Sequence, residues 1–353
     1  MYWYYLIYLL VLASVGLTFE NRAVWRHLLQ KTYFPFMLAV LVLFASLRTA
    51  GVDRDYQNYL DWYRQVASGD LTLLSWVKDP AYVLISYITA SIGAPFTLIL
   101  FVFSGIALLL TIVFIWEVFP NRWFPILFYI IFCRFFFPYE MTQIRAAAAI
   151  PLMSVSIVLA YKEKTWAAVA LFVCALTFHL SVIIALPILL LVVVGVRFDS
   201  RAWIVSLVPL GVAGYYMLQS LLSALADFSR VGVYLNGNYD VKSVRLLSVY
   251  FVVCTTALFY ALIVWNKLSS RDRLLVFSSA IGLFYQAVLS SNDALALRMS
   301  EVLGLFQVAV LVIPLSHLKG NFRVAYLILL IALGALFVAS GMKYMGPYQS
   351  VIS

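Results

Sequence analysis

The sequence predicts an all-α polytopic integral membrane protein, with about 12 transmembrane helices and one short interfacial or re-entrant helix. Three observations carry that prediction. Hydrophobic residues make up 65% of the 353 and charged ones only 11%, with a mean hydropathy of +0.99, a balance outside the range of soluble domains. Apolar runs of about 16 to 24 residues recur from end to end, and a helix of that length crosses a hydrocarbon core of about 30 Å. The basic residues lie in the turns between these runs, where they orient helices and meet anionic lipid. The net charge of +9 therefore speaks for a membrane surface, and nucleic acid is discounted as a partner. Cys133, Cys174 and Cys254 fall inside apolar segments without ligand spacing and read as small core residues.

The elements follow in order from counting Lys and Arg. Tyr2 to Phe19 has no basic residue before it and several after it, the reverse of a cleavable signal peptide, and is expected to stay in the protein. The turn after it carries Arg22, Arg26 and Lys31 and is expected inside, which puts the N-terminus outside. A second span, Tyr33 to Ala50, returns to the outer face. There the loop Gly51 to Asp79 carries five acidic residues against Arg54, Arg64 and Lys78. Pro80 to Ile92 is too short for an ordinary span and is placed as the interfacial or re-entrant helix, so that the next span, Pro95 to Trp116, starts outside.

The turns at Arg122, at Lys162 and Lys164, at Arg197 and Arg201, at Lys267, Arg271 and Arg273, and at Lys319 and Arg323 then all fall inside. Trp25, Trp116, Trp123, Trp166, Trp203 and Trp265 flank the same turns, as an interfacial aromatic belt does. Thr165 to Val196 has inside signals at both ends and no polar turn between them. Two short crossings are expected to meet near His179, a break tolerated where protein or a water-filled cavity surrounds it. The path makes residues 1–353 one transmembrane domain with both termini outside and outer loops near 51–94 and 221–245.

This path draws four arginines in or at the edge of apolar segments, Arg48, Arg134, Arg145 and Arg298, toward one face. A charge at the bilayer centre costs roughly 2.5 to 3.5 kcal/mol on insertion scales, so arginines kept there are functional candidates. Interfacial snorkelling is the plainer alternative. Arg48 leads into Gly51, Asp53, Asp55, Tyr56 and Tyr59, where a glycine lets the chain turn and carboxylates follow at once; local charge pairing at a loop start is the alternative. Tyr139, Glu140, Gln143 and Arg145 lie where one span ends and the next begins. The N-terminal amides of that next helix favour an anion, and an arginine fork suits phosphate oxygens. A Glu140 to Arg145 salt bridge closing the hairpin is the structural reading.

His179, in an unbroken apolar stretch, is either a hydrogen-bonded packing residue or a site residue. His27 and His317 fall on the other side, so no metal is expected. Asn292, Asp293 and Arg298 head a late span with Glu301 one turn below Arg298, as an ion bridge or as a ligand contact with its support. Tyr234, Asn236, Gly237, Asn238, Tyr239 and Asp240 suit sugar rings and hydroxyls, or simply make turns.

Taken in order, these clusters resemble the EpsG-type, Wzy-like family of bacterial polysaccharide polymerases, which make O-antigen, exopolysaccharide or capsule. The resemblance rests on Arg48 with Gly51-Val52-Asp53, Tyr56 and Tyr59; on Asp79-Pro80-Ala81-Tyr82; on Gln143-Ile144-Arg145 with its alanines; on Phe178-His179 with Ser181 and Pro187; and on Arg298. Aspartate stands before Pro80 where glutamate is more usual, and alanine follows Arg145 where a second polar residue often stands.

The resemblance implies a GT-C-like bundle in the bacterial inner membrane that works on undecaprenyl-diphosphate-linked oligosaccharide at the periplasmic face. It also implies a chain-length regulator and a flippase of the same pathway as partners, and no cofactor. On this reading Arg145 and Arg298, helped by Arg48 and Arg134, meet the diphosphate; Asp53, or else His179 or Glu140, is the base; and Asp55, Tyr56, Tyr59, Tyr139 and Gln143 line the glycan. An O-antigen ligase, a flippase or transporter of the same lipid-linked glycan, and a membrane acyltransferase built on His179 are the competing readings.

Overall fold

The computed structural model describes residues 1–19, 23–72, 79–120, 122–224, 248–290 and 292–351. Among them the regular secondary structure is helical, apart from one isolated bridge between Arg48 and Ser350. The described residues form two compact units, one of Met1–Ile183 with Lys319–Ser353 and one of Ile184–Leu318.

The first unit holds α1 (Tyr2–Ala13), α2 (Ala23–Ser46), α3 (Tyr56–Ala67), α4 (Pro80–Ser91), α5 (Thr97–Val118), α6 (Phe124–Phe135), α7 (Ile144–Tyr161), α8 (Thr165–Phe178) and α16 (Gly320–Met342). Its centre is α7, which packs on α5 and α8 and is buried along almost its whole length. The run of alanines after Arg145 allows this, because small side chains let neighbouring helices approach closely. Where α6 ends, a π-helical turn at Phe136–Glu140 carries the chain into α7.

Polar and aromatic contacts tie the helices of this unit together. At one end Lys162 pairs with Glu117, and Arg122 and Arg323 both lie over Trp123, at 4.3 Å and 5.8 Å. At the other end the C-terminal segment runs back along the exit of α2. The Thr49 amide donates to Gln349 at 3.1 Å, that of Val351 to Leu47 at 3.0 Å and that of Gly346 to Val52 at 2.9 Å. Tyr348 stacks on Phe44 with ring centres 4.1 Å apart. Gly51 turns the chain here with φ +89, a left-handed conformation that favours glycine.

The second unit holds α9 (Leu186–Val193), the single turn α10 (Ala202–Val205), α11 (Leu207–Ala224), α12 (Val249–Ile263), α13 (Ser270–Val288), α14 (Asp293–Val302) and α15 (Gly304–His317). Its spine is α13, started by a capping box of Ser269 and Asp272 and packed on α11, α14 and α15.

Three helices among the described residues, α5, α7 and α16, are long and apolar enough to cross a membrane, and the pair α14 and α15, bent by 63°, makes a fourth if it is one span. Several apolar helices are shorter, α8 and α12 among them. The helix α8 ends at His179, which is extended at φ −159 and ψ 114, so the uninterrupted apolar stretch does break where the charges required. The expected short helix from Pro80 is α4, of 12 residues. Of the expected outer loop at Leu221 to Arg245, residues 225–245 lie outside the described residues, with Tyr234, Asn236, Gly237, Asn238, Tyr239 and Asp240 among them.

Candidate functional site

Asp79 is the residue around which the first unit's polar side chains gather. It precedes α4, where Pro80 at the first helical position fixes the start, and its side chain is only 4% exposed. Arg145, second residue of α7, ion-pairs with the Asp79 carboxylate. Nδ1 of His179, at the end of α8, lies 3.5 Å from the same Asp79 oxygen. Three helix termini thus bring a cation, a carboxylate and an imidazole together. Arg145 and His179 keep 18% and 25% of their side-chain surface open, so the group is reachable.

Aromatic rings shape the rest. The Arg145 guanidinium lies over the rings of Trp62, at 4.8 Å, and Tyr59, at 5.6 Å, so its flat face is held while part of its edge is left for an anion. Its Nε is buried without a hydrogen-bond partner among the described residues. The Tyr82 hydroxyl donates to the Tyr59 carbonyl at 2.5 Å and locks α4 to α3. Phe103 continues this wall, with ring centres 5.8 Å from Tyr82 and 5.4 Å from Phe178. Gln143 stands partly exposed at the N-cap position of α7, without a side-chain cap bond, so the helix N-terminus expected beside Arg145 is present.

Arg48 and Asp53 make a second cluster, joined to the first through α3. Arg48 is fully buried; its Nε donates to Asp53 at 2.6 Å, another of its nitrogens donates to the Ala45 carbonyl, and its centre lies 5.9 Å from the Tyr56 ring. The other Asp53 oxygen accepts from the backbone amides of Asp55 and Tyr56, both at 2.9 Å, and so starts α3. Tyr56 faces this cluster, and Tyr59, one turn on, faces Arg145.

The other candidates have neighbours of their own. Glu140 does not bridge to Arg145, which pairs with Asp79 instead. Its Oε2 is buried without a hydrogen-bond partner among the described residues, beside a cavity of about 20 Å³ shared with Thr111 and Phe132. Tyr139 is buried against Phe135, with ring centres 5.6 Å apart. Arg134 sits over the rings of Phe135 and Phe337 at 5.3 Å and 5.9 Å, a cation–π arrangement. Arg298 belongs to the second unit, half-buried on α14, whose first turn is capped by the Asn292 side chain at 2.9 Å from the Leu295 amide.

Sequence reasoning placed Asp79 in a motif but gave it no role, and it did not notice Trp62. A carboxylate directly before a proline at the head of an apolar segment was the signal for the first. An aromatic residue three positions after Tyr59, on the same helical face, was the signal for the second.

Fold and site define a membrane-embedded helical protein with an arginine, carboxylate and histidine site built on helix termini. More particularly, the family model of the EpsG family matches residues 31–351, and the chain belongs to that family. The assignment is to EpsG-type, Wzy-like proteins and makes this a membrane protein of polysaccharide biosynthesis. No curated protein and no solved structure matches the chain.

Proposed function

We propose that this protein is a polysaccharide polymerase, a membrane glycosyltransferase that moves a growing glycan from undecaprenyl diphosphate to a sugar hydroxyl of the next undecaprenyl-diphosphate-linked repeat unit. The observation that carries the reading is the junction of Arg145, Asp79 and His179. In this reading the open edge of Arg145, with the N-terminal amides of α7, takes the diphosphate. The acceptor oxygen bonds to the anomeric carbon, the bond from that carbon to the diphosphate oxygen breaks, and the hydroxyl proton passes to His179. Asp79 orients the imidazole and stabilises it once protonated. Charge developing on the leaving diphosphate is met by groups already in place, the arrangement that lowers a transfer barrier most.

Asp53, the first candidate from sequence, suits the base less well than His179. Both its oxygens are engaged and its side chain is closed off. Its place in this reading, with Arg48, is to hold α3 and thereby Tyr59 and Trp62 under Arg145. Glu140 is likewise enclosed. Tyr59 and Gln143 line the approach for the glycan. In the second unit, taken by itself, Arg298 is assigned to a lipid diphosphate. The proposal keeps about twelve crossings, both termini outside, and the site toward the periplasm of a bacterial inner membrane.

The test is to incubate purified protein in nanodiscs with lipid-diphosphate-linked repeat units, with and without lipid A core, and to resolve the products by length. A ladder from repeat units alone supports polymerisation. Transfer only to lipid A core would make the protein a ligase, and movement of intact lipid across the bilayer without chemistry would make it a carrier.

A further inference from the structure

The second unit contains a buried polar chain that the site above does not use. The Tyr250 hydroxyl on α12 donates to Oε1 of Gln307 on α15 at 2.8 Å. Nε2 of Gln307 donates to the Ser300 hydroxyl on α14 at 3.0 Å, and Ser300 donates to Oε1 of Gln286 on α13 at 3.1 Å. Four helices are thereby joined through neutral side chains. Gln307, Ser300 and Gln286 are at most 2% exposed. Amides in such surroundings hold their partners firmly, because an orphaned one costs more than the bond returns. The backbone makes room for the chain: a Cβ at Gly282 would stand 2.5 Å from Gln307 Nε2.

The chain straddles the break at Leu303, where α14 and α15 meet at 63°. Ser300 lies on one side of the bend and Gln307 on the other. With only 10 residues, α14 has fewer than three turns. Its direction therefore depends on what ties it at each end, and a broken helix at membrane depth depends on protein groups to support it. Ser300, two residues from Arg298, is one such tie, and the packing of α14 on α13 is another.

We propose that Gln307, with Ser300, Gln286 and Tyr250, is the positioning device for Arg298: it fixes the bend at Leu303 and so the direction in which α14 offers the Arg298 guanidinium to a lipid diphosphate. None of the four touches the ligand. The inference rests on the assignment of Arg298 to the diphosphate.

The test is a double-mutant cycle on the affinity of the nanodisc-held protein for undecaprenyl diphosphate, with wild type, Arg298→Ala, Gln307→Leu and the double variant. Arg298→Ala is expected to weaken binding at least tenfold, and Gln307→Leu roughly fivefold and never more than Arg298→Ala, as the loss of one or two interhelical hydrogen bonds acting through that residue requires. The double variant is expected to bind no more weakly than Arg298→Ala, because the chain acts through that residue. Tyr250→Phe, which removes a single hydroxyl and spares the fold if Gln307→Leu does not, should show a smaller loss that likewise vanishes in the Arg298→Ala background. Unchanged binding by folded Gln307→Leu and Tyr250→Phe, or losses that multiply in the doubles, would overturn the positioning role while leaving Arg298 as a ligand contact. Unchanged binding by Arg298→Ala would remove that contact from the functional reading and the positioning role with it.

Discussion

Arg145 and Asp79, 66 residues apart in sequence, are ion-paired where the start of α7 meets the start of α4. The pair is mostly enclosed but not sealed. An arginine needed only for packing would be covered, and one needed only for solubility would be free. The pair instead leaves a guanidinium edge open and places His179 against the same carboxylate.

Arg145→Ala should therefore abolish activity far more than folding. Loss of one well-placed charge-stabilising donor corresponds to about a hundredfold or more in rate. Arg145→Lys should recover little, since an ammonium does not lie flat over Trp62 and Tyr59 or offer a fork to phosphate. Polymerisation rates measured beside thermal stability check both statements.

His179 and Asp79 should separate in kinetics. His179→Gln is expected to lower kcat with little change in KM for the lipid-linked donor, because the imidazole acts on the acceptor proton. Asp79→Asn should lower kcat and raise KM together, since it disturbs both neighbours. Equal KM effects in the two variants would argue against the division of labour.

The Arg48–Asp53 pair is expected to act through stability. Both side chains are fully enclosed, and removing one partner of such a pair costs about 3 to 5 kcal/mol. Asp53→Asn or Arg48→Ala should lower the melting temperature markedly. A variant ending at Lys343 should do the same, because it strips the segment that closes over this corner. An Asp53→Asn protein that melts like wild type yet is inactive would return Asp53 to the role of base.

The ends of the first unit give a topology test. A cysteine at Asp70, exposed in the loop after α3, should react with an impermeant maleimide added to intact spheroplasts. One at Lys164, exposed between α7 and α8, should react only after lysis. The reverse pattern would turn the site toward the cytoplasm.

Much of this was legible in the sequence because membrane helices announce themselves by hydropathy and turns by charge. The break at His179, the short helix from Pro80 and the helix start at Arg145 all followed from that. Local clusters were legible too: Arg48 and Asp53 are five residues apart, and they do pair. The meeting of Asp79 with Arg145 and His179 was not, since 66 and 100 residues separate them and several helices must pack first. Nor could local sequence reveal that Asp53 is closed off, because the C-terminal segment that pairs with the neighbouring Leu47, Thr49 and Val52 lies some 300 residues away. Asp53 looked like a base for that reason.

The central claim is that the Arg145, Asp79 and His179 junction carries glycosyl transfer. The most direct measurement is the glycan ladder formed by purified Asp79→Asn protein in nanodiscs from lipid-diphosphate-linked repeat units, set against wild type of matched melting temperature. The account predicts a full ladder from wild type and almost none from Asp79→Asn. A ladder of wild-type length and rate from a folded Asp79→Asn protein would contradict it.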